Sequence, residues 1–144
     1  MNKNDKMLKE VIDLINRMKS TRPLVECLTN RVTINDCANM LLAMGASPIM
    51  AEIECEMEEI MNISSALVIN LGLLDGTYLS AMKTAAEAAK RLGKPIVLDP
   101  VGAGASKLRD ETCREMIELT KPDIIRGNMS EIRALTGGNI SSKG

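Results

Sequence analysis

Two short apolar runs end in the residues best suited to chemistry. Ile96-Val97-Leu98-Asp99-Pro100-Val101-Gly102-Ala103-Gly104 carries a carboxylate into a turn marked by proline and glycine. Ile124-Ile125-Arg126-Gly127-Asn128-Met129-Ser130-Glu131 carries a guanidinium into a second turn. Apolar runs of this length, without alternation, predict strands buried on both faces of a parallel sheet. Ligands of such sheets bind at the carboxyl ends of the strands. Asp99, Arg126, Asn128 and Glu131 are therefore expected to share one crevice, with a mix of charges suited to a phosphate and its metal.

Each of these groups also has a plainer account. Gly102-x-Gly104 offers backbone N–H groups to a phosphate, and it equally makes a tight strand-to-helix turn. Asp99 beside it calls for a cation or a donor, or serves as a capping carboxylate. Arginine at the tip of a buried strand calls for an anion, which a phosphate, Asp99 or Glu131 would supply. Asn128 and Glu131, three apart at a helix start, lie close together. They are either ligands or an N-cap with its capping-box glutamate. The acidic run Glu52, Glu54, Glu56, Glu58 and Glu59 reads as a solvated helix start favoured by the helix dipole.

Positioning these groups requires strands that alternate with helices. Apolar residues at Leu8, Val11, Ile12, Leu14, Ile15 and Met18 predict an amphipathic helix. A strand over 24–28 follows, then a helix over 34–44 capped by Thr33 and stopped by Gly45. Ser47 to Ala51 reads as a strand that Pro48 places at an edge or a strand start. Ile53, Met57, Ile60 and Met61 share the next helical face. Strands over 66–71, 95–99 and 123–126 then alternate with three helices. The first is capped by Asp75 or Thr77 and closed by Gly93, the second starts near Arg109, and the third runs from near Met129 to Gly137-Gly138. This alternation predicts an α/β fold of parallel strands joined by crossovers. Residues 1–144 read as one α/β domain without repeat or linker, and the tail from Gly137 reads as the start of a loop, so the chain is expected to be incomplete.

Composition narrows the function. The 144 residues are 45% hydrophobic and 26% charged, the profile of an ordinary globular domain. With no Phe, Trp or His, one Tyr and 11 Met, the core must be aliphatic and methionine-rich, hence plastic. A net charge of -1 offers no basic field for nucleic acid or an anionic membrane. No apolar run reaches the roughly 20 residues of a bilayer span. Met1 to Lys9 is polar and charged, unlike a signal peptide. The expectation is a cytoplasmic protein with small-molecule partners, no nucleic acid and no membrane. Cys27, Cys37, Cys55 and Cys113 form no Cys-x-x-Cys pair and have no histidine to assist them, so they read as reduced thiols rather than a zinc site or a catalytic nucleophile. Neither a P-loop nor a complete dinucleotide fingerprint occurs, which weakens a generic nucleotide-binding domain.

Four motifs together carry a resemblance. Leu28-Thr29-Asn30-Arg31-Val32-Thr33 with Ala38-Asn39 is followed by Met44-Gly45-Ala46-Ser47-Pro48-Ile49-Met50-Ala51. Leu98-Asp99-Pro100-Val101-Gly102-Ala103-Gly104-Ala105 and Ile125-Arg126-Gly127-Asn128-x-x-Glu131 complete the set. In order and in spacing, from Pro23 to Gly137, they resemble the hydroxyethylthiazole kinases, which phosphorylate the hydroxyl of 4-methyl-5-(2-hydroxyethyl)thiazole in thiamine salvage with ATP and magnesium. The resemblance implies a ribokinase-like αβα sandwich with a mainly parallel sheet, here truncated. It also implies a homotrimer, when full length, with active sites between subunits. It puts Asn30, Val32 and Met50 near the thiazole, Arg126 and Asn128 on ATP, and Asp99 with Glu131, helped by Asn128, on Mg²⁺ and its waters.

Two departures stand out. Glu26 occupies a position where the family usually has histidine, in a His-x-Ile-Thr-Asn pattern. The family's Gly-Thr/Ala-Gly-Cys loop, which forms the anion hole and brings the residue near the substrate hydroxyl, is absent, so no catalytic residue is expected in this chain. The resemblance thus implies the N-terminal half of a kinase. The alternative is a catalytically silent chain that keeps thiazole or phosphate affinity.

Overall fold

A computed structural model describes residues 2–137. The chain runs α1 (Lys3–Thr21), β1 (Leu24–Leu28), α2 (Ile34–Met44), β2 (Ser47–Ile49), α3 (Met57–Ile63), β3 (Ala66–Asn70), α4 (Gly76–Arg91), β4 (Ile96–Asp99), α5 (Lys107–Thr120), β5 (Ile124–Ile125) and α6 (Met129–Leu135), with a 3-10 turn at Glu54–Glu56 before α3. Helices start where a side chain supplies the acceptor that a first turn lacks. Asn2 does this for α1, Asp75 for α4, Ser106 for α5 and Asn128 for α6. Thr33 does not: it makes no side-chain cap bond to α2. Asn30 instead folds the turn that leads into α2, its Oδ1 accepting the amides of Val32 and Thr33 at 3.0 and 3.1 Å.

All four strand pairings are parallel, in the order β2-β1-β3-β4-β5. Pro48 sits in the edge strand β2, where its missing N–H costs no ladder bond. The path across the sheet reverses at β1, which has β2 on one side and β3 on the other. A switch of this kind opens a crevice at the carboxyl ends of the two strands on either side of it.

Side-chain alternation feeds two helical layers. Val25, Cys27, Ala66 and Val68 turn toward α1 and α2, meeting Met18 and Leu41. Leu28, Leu67, Ile69, Ile96 and Leu98 turn the other way, onto Met57 and Met61 of α3, the alanine stripe of α4, Cys113 and Met116 of α5, and Ala134 of α6. Each fully buried Leu, Ile or Met of this layer contributes about 1.5–3 kcal/mol. The result is the expected three-layer α/β sandwich, with methionine filling the space that aromatic rings usually occupy. Glu26 alternates with Val25 and Cys27, so it enters the second layer alongside Leu28 and is fully buried there.

Burial differs from the sequence reading in three places. The run at 124–126 was expected to be covered on both faces, yet Ile124 is 57% exposed. β5 has only two residues and pairs with β4 alone, as the last strand of the described sheet. Ile53 precedes the 3-10 turn and is exposed, so Met57 and Met61 carry that helical face without it. The amphipathic α1 has no buried residue, and Met7, Leu8, Val11, Ile12 and Leu14 face solvent. Residues 138–144, including most of the predicted loop-like tail, lie outside the described residues.

Uncovered apolar faces and an open strand edge favour association. The purified 144-residue chain is expected to sediment as an assembly, and a monodisperse monomer at micromolar concentration would contradict this.

Candidate active site

Parallel pairing brings every strand's carboxyl end to one edge of the sheet, and a polar residue stands at or just beyond four of those ends. β1 leads into Asn30, β3 ends in Asn70, β4 ends in Asp99, and β5 is followed by Arg126. The register sets Asn70 opposite Asp99. Asn30 Nδ2 donates to Asn70 Oδ1 at 3.3 Å across the switch point, and Asn70 Nδ2 donates to Asp99 Oδ2 at 3.1 Å. Arg126 Nη1 donates to the same Asp99 oxygen. One continuous polar chain thus spans four strands.

The environments at its two ends differ. Asp99 is buried, whereas the Arg126 side chain is 75% exposed. Burial pushes the Asp99 carboxyl above the usual carboxylate range, opposed by the Arg126 cation. An exposed arm on a buried anchor leaves Arg126 able to reach an incoming anion. Gly72 is required beside this chain: a Cβ there would stand 2.8 Å from Asn70 Oδ1.

The glycine turn after β4 is engaged internally. Gly102 N donates to Glu131 Oε1 at 3.0 Å, and Gly104 N donates to Asp110 Oδ1 at 2.5 Å. Both glycines have positive φ, 78° and 88°, a region that side chains disfavour. The capping box is present as well: Glu131 Oε2 accepts from Asn128 N at 2.8 Å and Asn128 Oδ1 accepts from Glu131 N at 2.9 Å. Glu131 therefore ties the turn after β4 to the start of α6. Arg109 braces the neighbouring loops, its guanidinium donating to the carbonyls of Leu71, Val101 and Gly72.

Two clefts open along this edge. One, of about 350 Å³, is lined by Asp99, Val101, Arg126, Gly127, Asn128 and Glu131. The other, of about 380 Å³ at the switch point, is lined by Asn30, Arg31, Val32, Gly72, Leu73, Asp75 and Val101. Val101 lines both, so the two clefts adjoin. The predicted foursome of Asp99, Arg126, Asn128 and Glu131 thus does share a cleft, and Asn30 and Val32 share the next. Met50 joins neither: it packs on the opposite sheet face with Val25, Cys27 and Ala46.

Comparison with known proteins assigns the family. The hydroxyethylthiazole kinase family pattern matches residues 15–144. The chain belongs to the hydroxyethylthiazole kinase family. It is 47% identical over 136 residues to a hydroxyethylthiazole kinase of Ruminiclostridium cellulolyticum, covering 94% of this chain and 50% of that protein. To that of Aliivibrio salmonicida it is 50% identical, covering 94% of this chain and 51% of the relative. The solved structure of the hydroxyethylthiazole kinase protein from Pyrococcus horikoshii OT3 superposes with a TM-score of 0.86 at 48% identity, over 90% of this chain and 50% of that one. The chain therefore spans about half the length of the relatives it matches.

Within this member of the hydroxyethylthiazole kinase family, two residues of the site escaped the sequence reading. Asn70 had a signal: it closes the apolar run Ala66-Leu67-Val68-Ile69 just as Asp99 closes its own. Arg109 had none, since an arginine in the first turn of a helix looks like surface.

Proposed function

We propose that this protein phosphorylates the hydroxyl of a hydroxyethylthiazole with ATP, acting in the cytoplasm as a homotrimer with its sites between subunits. The pair of adjoining clefts sharing Val101 carries the reading. One has the charges for a phosphate chain; the other sets apolar Val32, Leu73 and Val101 beside the Asn30 amide, with Arg31 and Asp75 also in its wall, for a small polar heterocycle. In this reading Asn30 and Val32 contact the thiazole, and Met50 serves a neighbouring subunit's cleft. Arg126 and Asn128 contact ATP.

The acidic donors suit magnesium. Asp99 and Glu131 are hard oxygen groups in one cleft, and the described residues hold no cluster of three or more potential metal ligands. Mg²⁺ commonly takes one or two carboxylates and completes its shell with water and phosphate oxygens. Bound there, it would neutralise charge on the transferring phosphoryl group. The chain's own part is positioning: Arg126 pairs with phosphate oxygens, Asn70 holds the Asp99 carboxylate in place, and Glu131 keeps the turn after β4 against α6. Phosphoryl transfer depends chiefly on such placement and charge stabilisation.

A second reading is favoured by the glycine turn. Its Gly102 and Gly104 amides are already bonded, so that turn offers no open anion hole. The 144-residue polypeptide would then bind ligands without turning them over. Coupled ADP release with MgATP and thiazole alcohol separates the two readings, and calorimetry tests binding in either case. Arg126→Lys is expected to weaken MgATP binding by about tenfold, because an ammonium cannot reproduce a guanidinium's bidentate contacts. Unchanged MgATP affinity in this variant would make Arg126 merely the structural partner of Asp99.

A further inference from the structure

Glu26 lies fully buried in β1, on the face of Leu28, Met57 and Met61. It enters none of the ion pairs among the described residues. Its Oε1 accepts the amide of Ala51 at 3.1 Å, and its Oε2 lies 3.5 Å from the same nitrogen. That amide sits just past the end of β2. The β1–β2 register stops with Glu26 opposite Ile49, so the ladder supplies no carbonyl for Ala51. An amide left without an acceptor is costly. The Glu26 side chain provides the acceptor that the ended strand does not.

We propose that Glu26 is a positioning residue that fixes the exit of β2 and thereby sets where Met50 is presented. Its consequence for substrate rests on the kinase reading, in which Met50 contacts the thiazole. An ionised carboxylate grips an amide more strongly than a neutral acid. Burial pushes the Glu26 carboxyl up to about 8, against the Ala51 bond, with Glu56 adding repulsion. The other ionisable groups around it are Glu52 in the loop after β2, paired with Arg31, Tyr78 of α4, bonded to the Thr29 carbonyl, and Cys27 on its own strand. From α3, Glu58 points outward to Arg91 and Glu59 is exposed; in the 3-10 turn, Glu54 accepts from Thr84. Strands β2 and β3 bring no ionisable side chain. The hold on Ala51 therefore tightens as pH rises through the neutral range.

The test follows the Ala51 amide by NMR in the 144-residue chain from pH 6 to pH 9, with thiazole-alcohol affinity measured by calorimetry in parallel. In the wild type the amide shift is expected to titrate with a midpoint near 8, and Glu26→Gln to be flat while keeping the bond. Glu26→Ala is expected to exchange the Ala51 proton about tenfold faster and to bind thiazole alcohol about tenfold more weakly, with Glu26→Gln restoring both. A flat wild-type shift, or a Glu26→Gln variant that titrates like the wild type, would overturn the proposal. If Glu26→Ala does not fold, those two titrations decide by themselves. If the wild type binds no thiazole alcohol, the kinase reading fails, and the Ala51 titration still decides the role of Glu26.

Discussion

Asp99→Asn lowers turnover by about 10²–10³-fold while leaving the melting temperature unchanged or slightly raised. The magnitude is that of losing one preorganised electrostatic contact in a site of this kind. The split between activity and stability follows from the environment of Asp99. Its carboxyl is buried and pushed above the usual range, so the fold gains little from its charge. An asparagine keeps an oxygen for Asn70 and Arg126, which both bond to Oδ2, but removes the anionic oxygen proposed for the metal. Steady-state ADP release by catalytically competent protein, together with thermal melts, reads both effects. Turnover within twofold of wild type would reduce Asp99 to the anchor of Arg126. A melting temperature that collapses with activity would make its role structural.

The second large effect is on stability against pH. The Glu26 carboxyl is raised from 4.5 to about 8 in the folded chain, chiefly by burial. The folded state therefore binds the proton more tightly than the unfolded state does. Its contribution is fully present below about pH 4.5 and is lost as pH rises through about 8. At about 1.4 kcal/mol per pKa unit, the loss over this window is of the order of a few kcal/mol. Glu26→Gln, which cannot ionise, is expected to flatten that decline and to be more stable than wild type near pH 9. Urea midpoints measured at pH 5, 7 and 9 for both proteins check it. Parallel declines would mean that solvent reaches Glu26 and relieves the cost of its charge. The same substitution is expected to abolish the Ala51 titration, so one variant shows that ionised Glu26 costs the fold stability and that its ionisation grips Ala51.

Much of the chain was legible from local pattern. Asn128 and Glu131 form the capping box that their three-residue spacing suggested, and Asp75 proved to be the cap of α4 rather than Thr77. Asp99 and Arg126 do stand together at the strand ends, although the partner they found in this structure is each other. Glu131 is the capping-box glutamate and also lines the cleft, because its two oxygens serve different amides. Thr33 misled: a threonine before a helix is a good cap by type, but its side chain makes no cap bond to α2, and its hydroxyl lies instead 3.4 Å from that of Thr29.

What the sequence determined by itself were the features written within a few residues: the succession of strands and helices, their caps, the parallel class, and the strand-end polar groups. Periodicity and capping act over one or two turns, so they are readable without knowing what lies across the sheet. Only the tertiary structure decided that Asn70 bridges Asn30 and Asp99, that Arg109 clamps loops 37 and 38 residues earlier in the chain, and that Glu131 holds an amide 29 residues away. It also decided that the apolar face of α1 and the residues of β5 stay exposed. Those outcomes depend on strand order and register, which bring distant segments to one edge. The residue spacing of any single element carries no record of which neighbour it will meet.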